Sequence, residues 1–393
     1  MSELLESRWV DTKNALLEGL QGNKKSVMAT TLENTRRYLS ESATAGATSA
    51  GNVATLNRVI LPVIRRVMPT VIANELVGVQ PMTGPVGQIH TLRVRYSDTQ
   101  DATNTLNDVT AGDEALSPFK IAEAYSGDGT AGKAASTAAL EGAAGNKMSI
   151  QILKQTVEAK TRKLSARWTF EAAQDAQSMH GIDVEAEIMA ALAQEITAEI
   201  DQEVLSSLAT LAGTAAETYN QQGVSGTATF VGDEHAALAV QINRVSNLIA
   251  QRTRRGAGNW AVVSPFALTI LQSATTSAFA RTTEGTFEAP TNTKMVGTLN
   301  NAMKVYVNTY AADTAPVLIG YKGASESDAA AFYCPYIPLM SSGVVLDPGT
   351  FEPTVSFMTR YGYVELNNTA SSLGNAADYL GKVDITAANV SFS

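Results

Sequence analysis

One stretch constrains the fold of this chain more than any other: DVEAEIMAALAQEITAEIDQEVLSSLATLAG, residues 183–213. Val184, Ile188, Leu192, Ile196, Ile200, Val204 and Leu208 recur every four residues, the spacing that aligns side chains on one helical face. Asp183 stands where an N-cap belongs and Gly213 where a left-handed stop belongs. The spacing predicts one helix of about 28 residues, which at ~1.5 Å per residue is a rod of roughly 40 Å. That is long for a globular domain.

The other segments are of mixed type. Residues 1–41 read as one or two amphipathic helices, with Leu4, Leu5, Trp9, Leu16, Leu17 and Leu20 near helical spacing. They carry acids and no apolar core run, so they do not read as a signal peptide. The small, polar stretch at 40–52 has linker composition and marks a boundary. HTLRVRY alternates, with His90, Leu92, Val94 and Tyr96 on one face and Thr91, Arg93 and Arg95 on the other. On this reading His90 is a core histidine.

Alternation resumes at 163–170, with Leu164, Ala166, Trp168 and Phe170 on one face. The two alternating strands flank a polar excursion over 97–147, which predicts a long, projecting hairpin. Residues 238–274 read as helix, glycine stop, buried strand and a second helix opened by Ser264-Pro265. Short strands follow near MKVYVNTY, APVLIGYKG and AAFYCPYIPL, and FEPTVSFMTRYGYVEL alternates as a late strand. The result is an α+β chain without the regular βαβ order of a doubly wound nucleotide fold.

Composition narrows the chemistry. With 393 residues, 45% hydrophobic and 17% charged, the chain can fill two or three packed units. A net charge of −9 is not that of a DNA-coating protein. Cys334 is the one cysteine, so there is neither an intrachain disulfide nor a cysteine-built zinc site. Such usage suits a reducing compartment or a particle assembled inside a cell. No window approaches ~18 uninterrupted apolar residues, so no transmembrane helix is expected.

Candidate chemistry is sparse. GDGTAGKA, residues 127–134, nearly matches a phosphate-binding loop, which would make the chain a nucleotide-binding enzyme. Ala134 replaces the Ser or Thr whose hydroxyl reaches magnesium, and no convincing strand precedes Gly127. The match reads as a hairpin tip. His90, His180 and His235 show no ligand spacing, and the acids Glu185/Glu187 and Glu199/Asp201/Glu203 read as a solvated helix face. No catalytic residue, cofactor or metal is assigned. One charge pattern is less neutral: Glu195, Glu199 and Glu203 form an i, i+4, i+8 column of like charge. Lys154, Lys160, Arg162, Lys163 and Arg167 concentrate cations on the return strand. A basic strand of one copy lying across the acidic helix of a neighbour is the contact this suggests, with Glu199 opposed to Arg167.

Several ordered segments resemble the major capsid protein family of T-even-type tailed bacteriophages. They are VIRRVMPTVIANELVGVQPMTGPVGQIHTLRVRY, VEAKTRKLSARWTFEAAQDAQSMHGIDVEAEIMAALAQEITAEIDQEV, RTRRGAGNWAVVS, GYKGASESDAAAFYCPYIPL and FEPTVSFMTRYGYVEL, spanning 63 to about 366. The resemblance implies the HK-97-like capsid fold, which encapsulins and herpesvirus shell floors also use. It implies an N-terminal arm at 42–88 and an extended loop at 89–170. A peripheral domain with a spine helix would take 171–235 and 345–393, and an axial domain 236–344. The excursion is shorter than the domain inserted in family members, so little separate insertion domain is expected.

The resemblance further implies a structural, non-enzymatic protein of the virion, assembled in the host cytoplasm into hexamers and pentamers around packaged DNA. Scaffold, prohead protease, portal and decoration proteins would be its partners, and no membrane would be involved. The family's protease favours Leu/Ile-x-Glu before a small residue. Leu39, Glu41 and Ser42 offer that pattern, which would make 1–41 a scaffold-facing propeptide. An encapsulin-like cage and a vertex paralogue of the same fold are the alternatives.

Overall fold

The computed structural model describes residues 9, 13–14, 17, 22, 25–34, 72–100, 109–113, 115, 125–127, 134–180, 183–221, 231–274, 279–281, 294–300, 302–366 and 376–386. Helix α1 (Phe170–His180) leads into the long helix α2 (Val184–Leu211). Asp183 caps α2 by accepting the N–H groups of Glu185 and Ala186 at 3.1 and 3.4 Å. Gly213 ends it at φ +68°, where a side chain would be strained. Leu192, Ile196, Ile200, Val204 and Leu208 form its buried seam.

The seam rests on a five-stranded sheet. Its centre is β13 (Pro353–Glu365), flanked on one side by β11 (Ala331–Ser341) and β12 (Val345–Leu346), and on the other by β4 (Lys160–Arg167). β1 (Gly78–Val79) runs parallel to β11, with Gly78 opposite Phe332. Strand alternation sends Val355, Phe357, Thr359 and Tyr361 inward, and all four are buried. The β11–β13 register shifts around Pro335, Ile337 and Met340. Pro335 and Pro338 have no N–H to give to a ladder, which accounts for those irregularities. Gly362 of the TRYG stretch is needed for close approach: a Cβ there would lie 2.5 Å from Val157 and 3.1 Å from the Glu158 carbonyl.

A seven-stranded sheet forms the second unit, in the order β5-β14-β10-β6-β9-β8-β7. Its strands are β5 (Glu217–Tyr219), β6 (Trp260–Val263), β7 (Phe279–Arg281), β8 (Lys294–Leu299), β9 (Met303–Val307), β10 (Val317–Gly320) and β14 (Leu380–Ile385). α3 (Val231–Thr253) and α4 (Pro265–Ser273) cover one face through Ile242, Val245, Ile249 and Ile270. Trp260, Val262, Tyr306 and Leu318 belong instead to the cluster built on α2. Burial on both faces explains why WAVV and VLIG read as unbroken apolar runs. Ser264 caps α4, accepting the Ala267 N–H at 3.2 Å, as its sequence pattern predicts.

The projecting ribbon departs from the sequence reading. β2 (Val86–Tyr96) pairs with β3 (Met148–Glu158), from Val86 opposite Glu158 to Tyr96 opposite Met148. The 163–170 segment is not its partner: β4 pairs with β13, from Thr354 opposite Arg167 to Tyr361 opposite Lys160. β3 and β4 are nearly one continuous strand broken at Ala159, with each half recruited by a different neighbour. Phe170 opens α1 and ends the alternation there. His90 is exposed, not a core residue, because cover on the face it shares with Leu92 is confined to the Tyr96 end, where Val109, Ala115 and Tyr125 pack.

Leu208 is completely buried at the C-terminal end of the seam. Leu208→Ala is expected to cost about 2–5 kcal/mol through lost burial and a residual cavity. The check is a lowered urea midpoint with an unchanged slope.

Candidate functional site

The charge pattern of β4 and α2 resolves into a specific contact inside one chain. The pleat of β4 turns Arg162, Leu164 and Ala166 toward the helix, and Leu164 and Ala166 pack on its cluster. Arg162 Nη1 lies 2.5 Å from Glu199 and Nη2 2.6 Å from Glu203. Its Nε donates to the Tyr361 hydroxyl at 2.5 Å, and that hydroxyl donates to Glu203. The guanidinium fork thus spans two carboxylates one helical turn apart, relieving their mutual repulsion.

The electrostatics follow from this arrangement. For Arg162, burial acts against the charge, but the bonds to Glu203 and Tyr361 win and hold it above its usual value. For Glu203, burial acts upward, and the hydrogen bonds from Arg162 and Tyr361, aided by Lys160, hold it below the usual carboxylate value.

The remaining candidate residues are dispersed. Lys163 and Arg167 lie on the opposite pleat of β4, and Arg167 pairs with Glu352 at 3.5 Å instead of facing Glu199. Lys160 and Glu195 are exposed, and no ion pair to either is formed among the described residues. Asp201 is not on the solvated face with Glu199 and Glu203: it is 1% exposed, because two positions along a helix face nearly opposite ways. Leu39, Glu41, Ser42 and residues 128–133 of the phosphate-loop match lie outside the described residues. Ala134 is followed only by the four-residue turn Thr137–Leu140, which buries nothing. His235 meets Ser273 Oγ at 2.5 Å, a contact across α3 and α4 that sequence distance conceals. His235 is 1% exposed, so the pair serves packing between helices.

Two apolar surfaces escaped the sequence reading. On one face of the β2–β3 ribbon, Leu92 sits opposite Ile152 and Tyr96 opposite Met148. Leu92, Ile150 and Ile152 are 64%, 67% and 67% exposed. The second surface is the β12–β13 corner, where Val344, Val345, Leu346 and Phe351 are exposed together. Phe351 adopts φ +59°, a left-handed backbone that a bulky residue rarely takes. The signal for the ribbon was available in MSIQILKQTVE, where Met148, Ile150 and Ile152 alternate with polar residues. A two-stranded ribbon with an uncovered apolar face is marginal alone, and such faces mark contact with other chains.

Exposed apolar faces on an α+β body are of the kind that subunits of larger structures carry. Residues 53–385 match the family model described as major capsid protein Gp23. The major capsid protein of Enterobacteria phage T4 is 30% identical, covering 86% of this chain and 80% of that protein. That of Vibrio phage KVP40 is 29% identical, covering 84% and 80% respectively. Among solved structures, the capsid of Myoviridae phage XM1 aligns with 80% of this chain and 91% of that one, at 11% identity and a TM-score of 0.43. The chain belongs to the Gp23 major capsid protein family. It is a structural protein of tailed-phage heads, placed in the virion shell, where copies of the same chain form the capsid lattice.

Replacing Arg162 by Met is expected to lower stability by about 1 kcal/mol at pH 7, modest because the group is partly solvated. Since Glu203 is held low, the pair's contribution is present above the ordinary carboxylate range and lost as pH falls through the lowered value. Urea midpoints of the two proteins should therefore converge as pH falls through the lowered Glu203 value.

Proposed function

We propose that this chain adopts the HK-97-like arrangement and forms hexamers and pentamers through its ribbon. The observation that carries the reading is the exposed Leu92, Ile150 and Ile152 face, which gains a cover when it lies on a neighbouring copy. The β12–β13 corner, with Phe351, supplies apolar surface of the same kind on the body.

In this reading the arm and extended loop, bounded from the sequence at 42–88 and 89–170, meet at the stem of the ribbon, Val86 opposite Glu158, and β4 (Lys160–Arg167) belongs to the body. The peripheral domain, read from the sequence as 171–235 and 345–393, has α2 as its spine and also takes β4 and β11, and the axial domain, read as 236–344, also takes β5 and β14. The shell encloses packaged DNA without gripping it, consistent with a net charge of −9. The chain is not an enzyme; its work is assembly in the host cytoplasm with scaffold, prohead protease, portal and decoration proteins. Residues 1–41 are removed after Glu41 as the head matures, and the intact mass of shell protein from infectious particles tests that step.

Electron microscopy of the purified full-length protein tests the main reading, with rings, tubes or closed shells expected. Leu92→Asp with Ile152→Asp should abolish these assemblies while changing subunit stability by less than about 0.5 kcal/mol per substitution. A subunit that stays monomeric with and without residues 1–41, or a double variant that still assembles, would overturn it.

A further inference from the structure

Residues 72–82 cross from α2 to both sheets and are held by side chains from several elements. The Ile72 N–H donates to Asp201 Oδ1 at 2.9 Å. Lys322 Nζ donates to the Asn74 carbonyl at 2.8 Å, and the Val79 N–H donates to Glu326 at 2.9 Å. Asn34 Nδ2 donates to the Met82 carbonyl at 2.6 Å. Lys322 and Glu326 also pair with each other at 3.2 Å, so that end of the clasp is charge-balanced.

The Asp201 end is different. The side chain is 1% exposed, and Oδ2 is buried with no hydrogen-bond partner. Among the described residues no lysine or arginine forms an ion pair with it. The titratable side chain acting across from β11 is Tyr333, against which Tyr361 of β13 packs with ring centroids 5.4 Å apart; Glu203 lies on α2 itself. Burial drives the Tyr333 hydroxyl well above its usual value, so it stays neutral and offers Asp201 no compensating charge.

A carboxylate with one backbone donor and no cation is costly to keep ionised in such surroundings. As the neutral acid, Oδ1 still accepts the Ile72 N–H. Once ionised, the group gains by reaching water, which the segment packed against it prevents. We propose that Asp201 is a proton-operated latch: its neutral form holds Ile72 and the start of the 72–82 segment on α2, and its ionisation lets that end open.

Burial pushes the Asp201 carboxyl up to about 7, with the Ile72 N–H acting in the opposite direction. The closed state therefore binds a proton more tightly than the open state does. Its contribution is fully present below the ordinary aspartate value and lost as pH rises through about 7. The opened fraction should rise roughly tenfold per pH unit between pH 5 and 7 and level off above that.

The test is hydrogen exchange with mass spectrometry on the full-length protein from pH 5 to 8. It is read on peptides spanning Ile72, each rate divided by the intrinsic rate at that pH. The wild type should show the rise and the plateau. Asp201→Asn keeps the acceptor without the titration and should flatten the profile. Glu326→Gln, at the other end of the clasp, should leave the slope intact. A flat wild-type profile, a slope that survives in Asp201→Asn, or one abolished by Glu326→Gln would overturn the latch. If Asp201→Asn fails to fold, the wild-type profile and Glu326→Gln decide the matter.

Discussion

The seam between α2 and the inner face of β13 is the contact on which the other elements rest. Ile196, Ile200, Val204 and Leu208 on the helix meet a surface that includes Val355, Phe357 and Tyr361, all buried. Each such side chain is worth about 1.5–3 kcal/mol when fully buried, so the seam is a large share of what orders the body. β4 and β11 are positioned only because β13 lies between them. Trp260, Val262, Tyr306 and Leu318 bring one face of the second sheet into the same cluster. Loosening the seam would therefore disturb both sheets.

Helix geometry sorts three neighbouring acids into two environments. Glu199 and Glu203, one turn apart, share the Arg162 guanidinium at the edge of the seam. Asp201, between them in sequence, is turned into the core and meets the Ile72 backbone. The first arrangement ties β4 to α2 with charge that water partly screens. The second puts a titratable group beneath a segment that touches both sheets. Stability and responsiveness are thus separated by about 100° of rotation per residue along a single helix.

The uncovered parts have a common physical character. The β2–β3 ribbon exposes aliphatic side chains on a two-stranded support, and Phe351 is displayed on a left-handed backbone. Both would be liabilities in an isolated subunit. In the function proposed above, the missing cover is another copy of the chain, and the exposure of one subunit is a feature of an incomplete object.

How much was legible follows from which interactions are local. The cap at Asp183, the stop at Gly213, the start at Ser264-Pro265 and the four-residue period of α2 depend on neighbours along the chain, so the sequence alone determined them. The ordered motifs sufficed for the family, and alternation in FEPTVSFMTRYGYVEL located β13. Strand pairing was not legible, because period-two alternation names a face without naming a partner: β4 looked like the return of the ribbon and is the flank of β13. The burial of Asp201, the exposure of His90 and Leu92, and the choice of Arg162 over Arg167 as the partner of Glu199 were likewise decided by tertiary structure. A residue's propensity and spacing belong to the sequence, but which of its two faces meets protein and which meets water exists only once distant segments have packed.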